Sequence, residues 1–177
     1  MNKDKSKVCD VNQTKFLGYT IQKEGWLSIS RQNQKRFKEK IRRITKRNRG
    51  RSFEQVLSEL NPVLRGWLQY FQYARSSKLM LELDSWIRRK LRCYRLKQCK
   101  RVFTLQQFLQ KLGVKSWSSW ILALSGKGYW RKSGSPQMHQ AMNCEWFAEQ
   151  GLYSLALHYE KFKNLKKPPC ARACTVV

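Results

Sequence analysis

The chain has 177 residues, 41% of them hydrophobic and 12% aromatic, which excludes a wholly disordered protein and leaves enough apolar material for one packed core. Lys and Arg total 37 against 11 acidic residues, a formal charge of +26, and repulsion on that scale destabilises a compact state unless a polyanion neutralises it. Nucleic acid is the polyanion such a footprint predicts, and the lack of any long apolar run excludes a transmembrane helix.

In chain order, residues 8–30 read as strand and turn. The runs Phe16–Ile21 and Trp26–Ile29 flank Gln22-Lys23-Glu24-Gly25, a glycine-containing turn that predicts a β-hairpin. A basic helix is expected over about 31–48. Phe37, Ile41 and Ile44 recur at helical spacing, while Arg42, Arg43, Lys46 and Arg47 lie among the cations on the other faces. Ser52 and Gln55 form a capping-box signature for a short helix through Leu60. Asn61-Pro62 then reads as the start of a second helix, with Leu64, Trp67 and Phe71 on its inner face and Arg65 between them.

A long helix is expected over 78–98, its core stripe including Trp86 and Ile87 and its other faces carrying Arg88, Arg89, Lys90, Arg92, Arg95 and Lys97. Asp84 and Arg88 are spaced as a helix-surface ion pair. Thr104 with Gln107 signals a cap for a further helix ending at Gly113. Beyond 114, Ser116-Trp117-Ser118-Ser119-Trp120 leads into a Gly/Ser/Pro-rich connector. Helices are expected over about 136–150 and 152–164, followed by Pro168-Pro169 and a cysteine-containing tail.

No cofactor or metal site is expected. The six cysteines (9, 93, 99, 144, 170 and 174) make no C-x-x-C pair, and His139 and His158 complete no zinc pattern. The cysteines read as reduced thiols in a cytoplasmic protein, since Met1–Lys5 opens without the apolar stretch of a secretory signal. Ser125-Gly126-Lys127-Gly128 lacks the full phosphate-loop pattern and reads as a linker. Glu145 and Glu149 read as solvated, His139 as a surface or helix-packing residue, and Trp67, Phe71 and Trp86 as core.

Several segments resemble group II intron-encoded reverse transcriptases. Leu60-Asn61-Pro62-Val63-Leu64-Arg65-Gly66-Trp67-Leu68-Gln69-Tyr70-Phe71 is similar to the L-N-P-x-x-R-G-W-x-x-Y-F signature of their maturase domain. The run Leu83–Arg92 is similar to their L-D-x-x-I-R-R-x-L-R, and Phe16-Leu17-Gly18-Tyr19 to a hairpin near the end of the polymerase palm. Ser125–Arg131 and Trp146–Leu152 resemble the carboxyl-terminal stretch of bacterial members. The likeness spans about residues 14–167, and the Pro168–Cys174 ending departs from it.

The resemblance implies a mainly α fold: the end of the palm with its hairpin over 1–30, a basic helical thumb and maturase-specific domain over 31–115, and a helical extension over 116–177. It implies a protein that binds and stabilises group II intron RNA for splicing, and that in a full-length parent also grips the template–primer duplex. It does not imply catalysis by this chain. The family polymerises with a Tyr-x-Asp-Asp motif and a further Asp, whereas the only Asp residues here are 4, 10 and 84, none adjacent to another. Arg42, Arg43, Lys46 and Arg47, then Arg65, Arg88, Arg89, Arg92 and Arg95, are the candidate phosphate contacts. Leu64, Trp67, Phe71, Trp86 and Ile87 are the candidate core. Three alternatives stand beside this reading: one piece of a split polymerase whose catalytic part is encoded separately, a remnant of a mobile element, and a general basic DNA-binding protein.

Overall fold

The computed structural model describes residues 15–22 and 24–165. Expectations for residues 1–14, the Pro168-Pro169 tail and Cys9, Cys170 and Cys174 lie outside them. Three short antiparallel strands, β1 (Lys15–Phe16), β2 (Tyr19–Ile21) and β3 (Leu27–Ile29), precede α1 (Arg31–Ile44), α2 (Phe53–Tyr70) and α3 (Ser77–Gln98). There follow α4 (Val102–Lys111), α5 (Ser116–Leu124), α6 (Tyr129–Lys132), α7 (Pro136–Ala141), α8 (Cys144–Glu149) and α9 (Leu155–Leu165). The fold is mainly α after an N-terminal hairpin, as the sequence predicts.

The run Phe16–Ile21 is not one strand. Leu17 and Gly18 both take positive φ, 49° and 84°, and turn β1 tightly onto β2. A Cβ on Gly18 would collide with the Asn33 side chain, whose amide donates to the Gly18 carbonyl at 3.0 Å. Tyr70, at the end of α2, donates to the Leu17 carbonyl at 2.8 Å. The turn is thus latched to both α1 and α2.

α1 starts where Ser30 accepts from the Asn33 amide at 3.4 Å, and it buries only the face formed by Phe37, Ile41 and Ile44. In α2 the Ser52–Gln55 capping box forms in both directions, at 3.2 and 3.0 Å. The second expected start, at Asn61-Pro62, does not occur: α2 runs through it with Pro62 inside. An interior proline forfeits one backbone bond and costs about 3 kcal/mol. The Asn61 side chain does not cap its own helix because it is held by the loop before α9, donating to the Gly151 carbonyl at 2.8 Å and accepting from the Tyr153 amide at 2.9 Å. A distant partner thus overrides the local start signal.

Three other expectations are corrected. Thr104 and Gln107 lie inside α4, which starts at Val102 with Arg101 as its cap residue and no side-chain cap. The single helix over 136–150 is two, because the Asn143 side chain accepts from the Trp146 amide at 2.8 Å and opens α8 afresh. The connector after residue 114 contains α5 and α6.

One hydrophobic cluster extends from Ile29 to Tyr159, so α7, α8 and α9 share a core with α1–α3 across the expected boundary at 115. Leu64, Phe71 and Ile87 are buried in it; Trp67 and Trp86 are only partly buried and lie along its edge. Trp67 stacks on Phe37 with centroids 4.1 Å apart and tilts against Phe71 at 5.1 Å. Among the described residues, no helix is long and apolar enough to cross a membrane.

Candidate nucleic-acid interface

The predicted cationic residues do not form one array. Two of them are internal struts. Arg92 is 4% exposed, and its Nε and Nη2 donate to the Met142 carbonyl at 3.1 and 2.7 Å, closing the end of α7. A guanidinium buried and spent in this way is withdrawn from phosphate contact. Arg89 stacks on Trp130, with Cζ 4.1 Å from the ring centroid, and its Nη2 donates to the Trp130 carbonyl at 3.1 Å. It pins α6 onto α3, and its Nε is buried without a partner.

Asp84 corrects a third expectation. It does not pair with Arg88 on the surface; it is 4% exposed and accepts from Ser154 Oγ at 2.7 Å, Leu155 N at 2.9 Å and Ala156 N at 3.0 Å. A carboxylate from α3 therefore caps α9, where free amides and the helix dipole favour negative charge.

The remaining cations divide among faces. Arg65 is exposed over Tyr153 at 5.6 Å, Arg43 is exposed on α1, and Arg95 is held by Gln98 Oε1 at 2.9 Å and lies over Phe108. Arg88 is half-buried on α3. With Arg92 and Arg89 it helps hold His139 on α7 below the usual histidine range, partial burial being the larger cause.

Arg42, Lys46 and Arg47 come together with residues absent from the predicted set. They rise from the end of α1 beside a face of α3 that carries Trp86, Lys90 and Lys97, with Tyr129 and Trp130 of α6 as the third wall. Arg42 lies over Trp86 at 5.7 Å, and Lys90 lies between Trp86 and Trp130 at 5.7 and 5.1 Å from their centroids. Arg47 and Lys97 lie over Tyr129 at 5.2 and 5.8 Å. The Cys93 thiol donates to the Tyr129 carbonyl at 3.4 Å and helps fix α6.

Two concavities result, of about 420 Å³ beside Tyr129 and about 240 Å³ beside Trp130, with Arg47 lining both. Burial first, then Arg42 and Arg47, depress the Lys90 pKa. None of Arg42, Lys46, Arg47, Lys90 or Lys97 is ion-paired among the described residues, whose carboxylate pairings are Arg49 and Arg51 to Glu59 and Lys163 to Glu160. The signal for Lys90 and Lys97 was their i, i+7 placement with Trp86 on α3. For Tyr129 and Trp130 it was the Gly-Lys-Gly-Tyr-Trp-Arg run, whose short helix no periodicity reveals.

The site is thus a cationic cleft with aromatic walls on a mainly helical scaffold, its cations free of ion pairs among the described residues. Residues 34–113, from within α1 to just past α4, match the model of the group II intron, maturase-specific domain. The α1 and α3 walls of the cleft lie inside the matched segment and the α6 wall beyond it. No curated protein matches the chain.

Proposed function

We propose that the chain binds the folded RNA of a group II intron and stabilises its splicing-competent form. The observation that carries this reading is the convergence of unpaired cations from α1 and α3 on one aromatic-walled cleft, within and beside the segment that matches the maturase-specific domain. Structured RNA presents closely spaced phosphates and 2′-hydroxyls, which a rigid cationic surface matches by shape. The role we propose is binding and not catalysis, in keeping with Asp84, which has both carboxylate oxygens committed to capping α9.

The hairpin favours a second role, as the thumb of a polymerase whose catalytic portion is a separate chain. Its turn is fastened to α1 and α2 by Asn33 and Tyr70, which would carry the position of a preceding palm into the helical body. The test is equilibrium binding to a group II intron transcript in the presence of excess tRNA, with duplex DNA of equal length as comparison. Retained affinity for the intron under tRNA competition supports the first role. Equal affinity for the DNA duplex would instead indicate a general basic protein.

A further inference from the structure

The larger concavity has a composition that phosphate binding alone does not require. Lys46, Arg47, Asn48, Lys97 and Tyr129 line it, and its volume of about 420 Å³ lies in the range of small-ligand pockets. Tyr129 is the aromatic wall, held in place from behind: its carbonyl accepts from Cys93 and α6 is pinned by Arg89. Asn48 sits exposed on the turn after α1 and offers both a donor and an acceptor. Lys46 and Lys97 supply cations at the rim.

A continuous duplex keeps the faces of its bases stacked inside and has no use for an aromatic wall. An unpaired nucleotide presents a free face for stacking, a free edge for hydrogen bonding and a phosphate for the cations. We propose that the Tyr129 concavity is a binding site for one unpaired nucleotide of the RNA, its base stacked on Tyr129, its edge read by Asn48 and its phosphate held by Lys46 and Lys97. This rests on the RNA-binding role above and adds to it. The cleft selects a bulged or flipped-out position within folded RNA, and the surrounding cations bind the flanking backbone. Arg47 and Lys97, both over the Tyr129 ring in the free protein, make way for the base, Lys97 by turning to the phosphate.

The test uses two RNA hairpins of one sequence, with and without a single bulged adenosine. Affinities are measured for the wild-type chain and for Tyr129→Leu, Tyr129→Trp and Asn48→Ala. Wild type is expected to prefer the bulged hairpin by about tenfold, in line with one base–aromatic stack. Tyr129→Leu should bind both hairpins alike, at the wild-type affinity for the unbulged one, and Tyr129→Trp should keep the preference. Asn48→Ala, on an exposed turn, should reduce the preference without altering the melting temperature. Binding of both hairpins without preference would overturn the pocket and leave the RNA-binding role intact. So would a preference that survives both Tyr129→Leu and Asn48→Ala. Failure of wild type to bind either hairpin at low salt would overturn the role and the pocket together.

Discussion

Replacing Asp84 with Ala removes the carboxylate from α3 that caps α9. The wild-type group accepts three hydrogen bonds, from the Ser154 hydroxyl and the Leu155 and Ala156 amides, while itself 4% exposed. Hydrogen bonds to a charged partner contribute about 1.5–3 kcal/mol each, and losing a helix cap costs about 0.5–2 kcal/mol; these overlap and do not sum. Ser154 Oγ still accepts from Leu157 N at 3.4 Å, so part of the cap survives. A loss of about 3 kcal/mol is expected, and half that for Asp84→Asn, which keeps one acceptor oxygen. For a chain of this length that lowers the melting temperature by roughly 6–12 °C for the alanine variant. Calorimetric or circular-dichroism melts read the global change, and hydrogen exchange reads α9, where protection should fall first. The surface pairing with Arg88 that the sequence suggests predicts only about 0.2–0.5 kcal/mol for Asp84→Ala and the same for Arg88→Ala. Equal, small effects of the two substitutions would refute the cap.

Arg92→Met should cost about 2–4 kcal/mol, because the Met142 carbonyl loses both its donors, and it should leave the salt dependence of RNA binding unchanged; Arg92→Lys should not restore stability, lacking the paired donors. Trp67→Ala should destabilise by about 2–3 kcal/mol rather than the 3–5 typical of fully buried tryptophan, since Trp67 is only partly buried against Phe37 and Phe71, and urea titration measures it. His139 has its pKa lowered from an ordinary value of 6.5, so the native state binds fewer protons than the unfolded one just below that pH. Stability should therefore be unaffected by His139 above pH 6.5 and should fall as the pH drops from there toward the depressed value; melts of His139→Gln at pH 7.5 and 5.5 should show a smaller acid loss than wild type.

Patterns that are local in the chain were legible in it. The Phe37–Ile41–Ile44 stripe, the Ser52–Gln55 box and the boundaries of α3 follow from helical period and capping chemistry, and the structure reproduces them. Three of the misreadings, at Asn61, Asp84 and Arg92, share one physical cause: a polar side chain with a good local role found a better partner far along the chain. Asn61 reads as a cap until the loop at 151–153 takes both ends of its amide; Asp84 reads as a surface acid until α9 presents its free amides. Arg92 reads as one cation in a basic run, though its position places it under α7. The cleft was half legible. Its α1 and α3 cations stand out by number, but their convergence with Tyr129 and Trp130 depends on a four-residue helix inside a Gly/Ser-rich stretch.

Salt-dependent binding of a group II intron transcript by the Arg42→Gln/Arg47→Gln double variant addresses the cleft itself. Both side chains are exposed and neither is ion-paired among the described residues, so folding should be unaffected. If each contacts a phosphate, the slope of log K against log salt should shallow by about 0.7 per contact, about 1.4 in all, with weaker binding at low salt and an unchanged melting temperature. A double variant that binds with wild-type affinity and wild-type slope would contradict the account.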